Sequence, residues 1–230
     1  MKKSLIFKIL AVAFAMVMGV CVLTACSDSG KEEETTGSVE LQDPPTTQGG
    51  DAEVVTDANT KHTKVKFEIE IAGKDAGDFT MELYPEYAPI TVDNFIKLVE
   101  DEFYNGLTFH RIAEGGYGPF VAQGGDPKGN GTGSSTPIKG EFIANGVNNT
   151  LSHTRGIVSM ARRGDSYDSG SCQFFICYNG NYTNALDGQY AAFGKVIEGM
   201  EVVDSFLEVE RDYSDKPVKD IVITSAYIVK

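Results

Sequence analysis

The residues of this 230-residue chain that could carry chemistry are an arginine, two glutamines and several phenylalanines in short strand-like runs. The runs are Phe109 to Arg111, Phe120 to Asp126, and Gln173 to Ile176. An arginine stays protonated and holds its N–H donors in a fixed fork, so it can donate hydrogen bonds to a reacting group without transferring a proton. Each residue also has a structural explanation: a surface ion pair for Arg111, a strand amide for Gln123, and core packing for the phenylalanines.

Other catalytic machinery is not evident in the sequence. The glycine-rich segment from Gly124 to Gly133 lacks the Gly-Lys-Ser/Thr ending of a phosphate-binding loop, and as a calcium loop it fails at Lys128. We interpret it as a tight structural loop. Ser159 and Ser171 lack the Gly-x-Ser-x-Gly elbow, which disfavours a hydrolase.

The histidines and cysteines point to structural roles. His62, His110 and His153 show no metal-ligand spacing, so no metal and no cofactor are predicted, and we assign His110 and His153 to structural hydrogen bonding. Four cysteines are too few for a disulfide scaffold. Cys172 and Cys177 stand five apart and would face opposite sides of one strand, so we expect two buried thiols.

The elements that must position these residues are mainly strands. Val65, Phe67, Ile69 and Ile71 alternate with charged residues, which predicts a strand with one buried face, and a second strand over 79–83 completes a hairpin. A helix is predicted from an N-cap at Thr91 to about residue 103, and a short second helix over 200–207. Six further strands are predicted at 107–112, 120–123, 156–161, 173–178, 191–195 and 221–229. The pattern favours an antiparallel barrel or sandwich with helical plugs.

The ordered runs resemble the cyclophilin family of peptidyl-prolyl cis-trans isomerases. The resemblance also includes Ser159-Met160-Ala161, Leu186-Asp187-Gly188 and Phe193 to Met200, and it is collinear over nearly all of 64–230. It implies a mainly β fold, a closed eight-stranded antiparallel β-barrel with two capping α-helices. It also implies isomerase activity on Xaa-Pro bonds of proline-containing polypeptides.

The resemblance assigns roles to ten residues. Arg111 matches the family's catalytic arginine, and Phe120, Gln123 and Phe175 complete the catalytic set. The expected substrate-binding residues are Val121, Ala161, Arg162, Gln173, Leu186 and Tyr190.

Four departures from the family pattern lie near this site. The segment between Arg111 and Phe120 is about four residues longer and is expected to bulge beside the site. Ala185 replaces a frequent tryptophan, so reduced cyclosporin binding is expected. Tyr190 replaces a frequent histidine, and Arg162 replaces a frequent asparagine and adds a second cation.

The N-terminus predicts export and lipidation. Residues 1–25 combine a positive start with an uncharged run from Ile9 to Leu23, which is 15 residues and too short for a stable transmembrane helix. The ending Leu-Thr-Ala-Cys26 resembles a bacterial lipobox, so Cys26 is expected to carry lipid and to anchor the protein on the extracytoplasmic side of the cell membrane. The alternative is a plain secretory signal with an incidental cysteine.

The charge distribution separates a tether from a domain. The whole chain has a net charge of −13, and loss of the lysine-bearing leader would change this to −16. Residues 26–63 contain nine acidic residues against two lysines and read as a disordered tether, which leaves 64–230 as one domain with a net charge of −9. Such a charge disfavours binding to nucleic acid.

The leading hypothesis is therefore a monomeric, membrane-tethered prolyl isomerase that assists folding of exported proteins. The alternatives are a proline-peptide binding module without turnover and a wall-associated hydrolase.

Overall fold

The structure is a computed structural model that describes residues 62–116 and 118–230, which belong to one compact unit. The predicted signal segment, the lipobox Cys26 and the tether up to residue 61 lie outside the described residues. Within the described part of the chain, no helix combines the length and the apolar character needed to cross a membrane. His62 and Thr63, placed in the tether by sequence, contact the domain: the Thr63 carbonyl accepts a hydrogen bond from Leu83 N–H at 2.9 Å.

Eight strands form one antiparallel sheet, in agreement with the eight predicted strands. Their order across the sheet is β3-β4-β6-β5-β7-β2-β1-β8. The strands are β1 Lys64–Ile71, β2 Lys74–Leu83, β3 Phe109–Gly115, β4 Gly118–Gly124, β5 Ile157–Met160, β6 Phe174–Cys177, β7 Ala191–Glu198 and β8 Ile221–Val229.

The alternation in β1 produces the expected core. Val65, Phe67 and Ile69 are buried, and the predicted hairpin forms with Phe67 paired to Phe79 across the ladder. Their rings stack with centroids 5.1 Å apart. Phe95 from the first helix packs on the same cluster, 6.3 Å from Phe67. Burial of these aromatic faces is the main stabilising contribution to the fold.

The first helix, α1, spans Pro89–Glu100 and corrects two predictions. Proline is favoured in the first helical turn, so the helix begins before Thr91, which is not its N-cap. The N-terminus of the helix is capped instead by the buried carboxylate of Glu141, which accepts hydrogen bonds from the N–H groups of Ile90 and Thr91 at 3.1 and 2.8 Å. The helix ends before residue 103 because Glu102 adopts a left-handed conformation with φ of 54°.

The remaining helical segments are short. A single turn, α2, spans Gly180–Thr183, and α3 spans Met200–Ser205 and continues as a 3₁₀ turn to Glu208, close to the predicted 200–207. The inward-facing residues of this segment are Val202, Val203 and Phe206.

The expectation of a closed barrel is wrong, because the curled sheet is open between β3 and β8. These two strands end the strand order, and an isolated bridge joins Thr108, the residue before β3, to Val222 of β8. Beyond that bridge the edge of β3 is occupied by another segment: Ile112 N–H donates to the Asp215 carbonyl at 2.9 Å. The loop around Asp215 therefore pairs with a main-chain group of β3 that a closed barrel would pair with β8.

Candidate functional site

A β-bulge in β3 places Arg111 on the face of the sheet opposite the core. Phe109 pairs with Gly124 and Arg111 pairs with Gln123, so His110 is the extra residue. Without the bulge Phe109 and Arg111 would share a face. The bulge lets Phe109 remain buried while the Arg111 side chain is 43% exposed.

Arg111, Gln123 and Phe175 form a row across three neighbouring strands. Arg111 on β3 is paired with Gln123 on β4, which is paired in turn with Phe175 on β6. Directly paired residues face the same side of a sheet, so a cation, an amide and a ring are aligned at the spacing of adjacent strands. Ala122 and Phe174, which alternate with them, are buried in the core on the other face.

An apolar notch lies beside this row. Val121 and Phe175 are nearly buried and form a cluster separate from the main core. The Tyr190 ring meets the Phe175 ring edge-on, with centroids 5.7 Å apart. The notch and the row together form a groove of about 220 Å³, here called the central groove. Nine of the ten predicted site residues line it: Arg111, Phe120, Val121, Gln123, Ala161, Arg162, Phe175, Leu186 and Tyr190.

The tenth predicted residue, Gln173, does not line the central groove but holds the Gln123 side chain in place. Its side-chain oxygen accepts a hydrogen bond from Gln123 Nε2 at 2.9 Å. Its own Nε2 donates to the carbonyls of Gly131 and Gly133 at 3.2 and 2.7 Å. Gln173 therefore joins the glycine-rich loop to Gln123 and orients the amide that faces the central groove.

A hydrogen-bonded chain that is buried at His153 and Ser159 supports Phe175 from behind. The His153 ring stacks on Phe175 at 6.0 Å, its Nδ1 lies 2.7 Å from Asp187 Oδ1, and its Nε2 lies 2.9 Å from Ser159 Oγ. Burial lowers the pKa of His153, although Asp187 opposes this effect. Ser159 is fully buried and cannot reach a substrate, so this trio is not a hydrolase triad. The structure agrees with structural hydrogen bonding for His153, whose link to Phe175 had no sequence signal. The same expectation for His110 is wrong, because its ring is buried and neither ring nitrogen has a hydrogen-bond partner among the described residues.

Comparison with known proteins identifies the family. The model for the family described as "Cyclophilin type peptidyl-prolyl cis-trans isomerase/CLD" matches residues 47–228. The chain belongs to the cyclophilin-type peptidyl-prolyl cis-trans isomerases.

Curated relatives and a solved structure agree with this. The chain is 36% identical over 154 residues to peptidyl-prolyl cis-trans isomerase CYP18-2 of Arabidopsis thaliana, covering 66% of this chain and 88% of the relative. It is 38% identical over 154 residues to peptidyl-prolyl cis-trans isomerase-like 2 of Gibberella zeae, covering 66% of this chain and 25% of that longer protein.

One similar solved structure is a cyclophilin-type isomerase of Cryptosporidium parvum. It has a TM-score of 0.63 and 30% identity, with coverage of 74% of this chain and 99% of that one. A second crystal structure of that protein was determined in the presence of the dipeptide Ala-Pro.

In this cyclophilin, Arg111 has a partner that the sequence did not indicate. Arg111 Nη2 donates to Asp215 Oδ2 at 3.2 Å. Asp215 lies in the loop that pairs with the edge of β3, and its φ of 66° is unusual for a residue other than glycine. The pair remains partly exposed, so it orients the guanidinium without removing it from the central groove.

Arg162 lies where the central groove meets a second one. The second groove, here called the side groove, has a volume of about 390 Å³ and shares Gln123, Ala161 and Arg162 with the first. The Arg162 guanidinium lies over the rings of Tyr190, Tyr167 and Phe142, with its carbon 4.7, 5.0 and 5.3 Å from their centroids.

The other two departures from the family pattern are the longer segment after Arg111 and Ala185. The longer segment after Arg111 does not bulge as a loop, because most of it extends the β3–β4 hairpin as far as the pair Gly115 to Gly118. Ala185 is exposed and does not line the central groove.

Among the described residues, no group of three or more His, Cys, Asp or Glu side chains could hold a metal ion.

Proposed function

We propose that this cyclophilin lowers the barrier to Xaa-Pro rotation with Arg111, while the apolar notch holds the proline ring. Rotation about a peptide bond has a barrier of about 18–20 kcal/mol because the nitrogen lone pair is delocalised into the carbonyl. In the twisted state the lone pair is localised on a pyramidal nitrogen and accepts a hydrogen bond that the planar state accepts poorly. A guanidinium donor beside that nitrogen therefore stabilises the transition state selectively.

The row across β3, β4 and β6 carries this proposal. It puts Gln123 between Arg111 on one side and the Phe175 ring on the other, all lining one open groove. A proline ring packed against Phe175 and Val121 is held still, so the preceding carbonyl turns. The Gln123 amide, oriented by Gln173, is placed to bind the substrate backbone. The Ala-Pro dipeptide used with the Cryptosporidium parvum relative is consistent with a prolyl ligand.

Exchange spectroscopy on a proline peptide with the full-length protein tests these roles. Replacing Arg111 by Ala is expected to reduce turnover on the order of a hundredfold. Arg155→Ala is the matched control, because Arg155 pairs with Asp204 at 2.6 Å and does not line either groove. Parent-like turnover by the Arg111 variant would refute the assignment. Saturable binding without faster exchange in the unmodified protein would favour the binding module.

We further propose that the protein acts outside the cytoplasm as a lipid-anchored monomer on proline-containing exported proteins. The support is the leader, the lipobox at Cys26 and the acidic segment that follows. Uncatalysed Xaa-Pro isomerisation takes tens to hundreds of seconds, which is slow enough to limit folding after export. Labelling cells with a radioactive fatty acid tests the anchor: label and membrane association should both be lost in Cys26→Ser.

A further inference from the structure

We propose that Arg162 determines substrate specificity by selecting polypeptides with an acidic side chain within two residues of the proline. The inference rests on the proposed role of the central groove as the proline site. Arg162 lines both grooves, so a peptide with its proline in the central groove carries its neighbouring side chains past this guanidinium. Successive residues of an extended chain are about 3.3 Å apart, which limits the contact to the nearest neighbours.

Arg162 differs from the other arginines of the described region in having no acidic partner. The other four each form an ion pair within 4 Å: Arg111 with Asp215, Arg155 with Asp204, Arg163 with Asp165, and Arg211 with Glu114. No such pair is formed by Arg162 among the described residues. An arginine left without a carboxylate in a domain with a net charge of −9 is available for a carboxylate from outside.

The contacts that Arg162 does make leave part of its fork free. Its Nε donates to the Gln189 carbonyl at 2.9 Å and its Nη1 donates to the Arg163 carbonyl at 3.0 Å. A guanidinium has five N–H donors, so one on Nη1 and two on Nη2 have no partner among the described residues. The aromatic rings contact the face of the group, whereas its N–H donors point outward in its plane. A carboxylate can therefore accept two parallel hydrogen bonds from a side chain that is already ordered.

An acidic residue in the side groove restricts where the substrate carboxylate can lie. Asp168 lines that groove, and its Oδ1 accepts hydrogen bonds from Gly140 N–H and Asn145 Nδ2 at 2.9 and 2.7 Å. These bonds lower the pKa of Asp168, which keeps it negative. Repulsion from this charge disfavours an acidic side chain close to Asp168 in the side groove. The substrate carboxylate is therefore expected beside Arg162, where the two grooves meet.

Matched peptides test the selection on the full-length protein. Proline peptides that differ by Glu, Gln or Lys, placed in turn at each position within two residues of the proline, are compared by kcat/KM from exchange spectroscopy. For at least one position we expect the Glu peptide to exceed the Gln peptide by about fivefold, and the Lys peptide to be slowest. The preference should shrink at high salt, because the site is open to solvent.

Variants connect the preference to Arg162. The ratio of Glu to Gln turnover should fall to about one in Arg162→Gln and reverse in favour of Lys in Arg162→Glu. Arg163→Gln removes the same charge from a neighbouring side chain that already pairs with Asp165, and it should retain most of the ratio. Equal turnover of all three peptides at every position by the unmodified protein would overturn the inference while leaving the isomerase assignment intact. Absence of turnover on every peptide would refute the proposed function itself.

Discussion

Arg111 and Asp215, 104 residues apart in sequence, form an ion pair of 3.2 Å between the groove-bearing strand and the loop that covers the sheet edge. The two side chains are 43% and 35% exposed, so the pair is expected to add little to stability. Its effect is on orientation, because an exposed arginine without a partner samples many rotamers. The left-handed backbone of Asp215 is retained because the Ile112 N–H binds its carbonyl.

Removing the charge of Asp215 should therefore reduce activity more than stability. Asp215→Asn keeps the shape of the side chain, and asparagine also tolerates the left-handed conformation. We expect kcat/KM for a proline peptide to fall by about threefold to fivefold, with the free energy of unfolding changed by less than about 0.5 kcal/mol. Asp204→Asn, which removes the partner of Arg155, is the control and should leave turnover unchanged. Unchanged turnover in Asp215→Asn would mean that the pair does not position Arg111.

Gln173 should be needed as an amide, because it both donates and accepts hydrogen bonds. Gln173→Glu replaces the donor to Gly131 and Gly133 by an acceptor that faces two carbonyl oxygens. Urea denaturation should show a loss of about 1–2 kcal/mol in the free energy of unfolding, with lower kcat/KM because Gln123 is no longer held. Asn148→Asp, the same amide-to-acid change at an exposed residue that lines neither groove, is the control. Equal stability of the two variants would contradict the proposed hydrogen-bond role.

The strands could be predicted from sequence, while the closure of the sheet could not. Alternation such as that of Val65, Phe67 and Ile69 reports which face is buried, and this is a local property. Closure depends on which segment reaches the edge of β3, and the pairing of Ile112 with Asp215 spans about a hundred residues. The cap of α1 was missed for the same reason: Glu141 lies 50 residues from Thr91.

The site residues were predicted from ordered motifs, but their supporting contacts were not. Nine of the ten line one groove, because the register of β3, β4 and β6 brings distant runs into one row. The bulge at His110 has no sequence signal in this chain. The partners of Arg111 and Phe175, which are Asp215 and His153, come from loops whose positions depend on tertiary packing.

Glu141 should be important for stability because its carboxylate is buried against the start of α1. It accepts hydrogen bonds from Ile90 N–H, Thr91 N–H and Thr91 Oγ1, the last at 2.8 Å. Glu141→Ala leaves these donors without an acceptor and should cost about 2–4 kcal/mol of unfolding free energy, with a smaller loss for Glu141→Gln. Glu100→Ala, at an exposed position of the same helix, should change it by less than about 0.5 kcal/mol. A loss no larger than that of the control would show that the cap is dispensable.

Burial of two histidines should make the protein less stable as the pH falls from 8 to 5. Burial lowers the pKa of His153 against the opposing effect of Asp187, and it lowers the pKa of His110 against that of Asp126. The unfolded chain, with an ordinary histidine pKa near 6.5, therefore binds protons that the folded protein does not. Stability is full above that pKa and decreases as the pH falls toward the folded-state pKa, by at most about 1.4 kcal/mol per pH unit for each histidine.

Urea denaturation across this pH range measures how the free energy of unfolding changes with pH. The slope of that plot should be shallower for His153→Asn than for the unmodified protein, since one of the two titrating groups is gone. A slope unchanged by both His153→Asn and His110→Asn would show that other groups control the acid sensitivity.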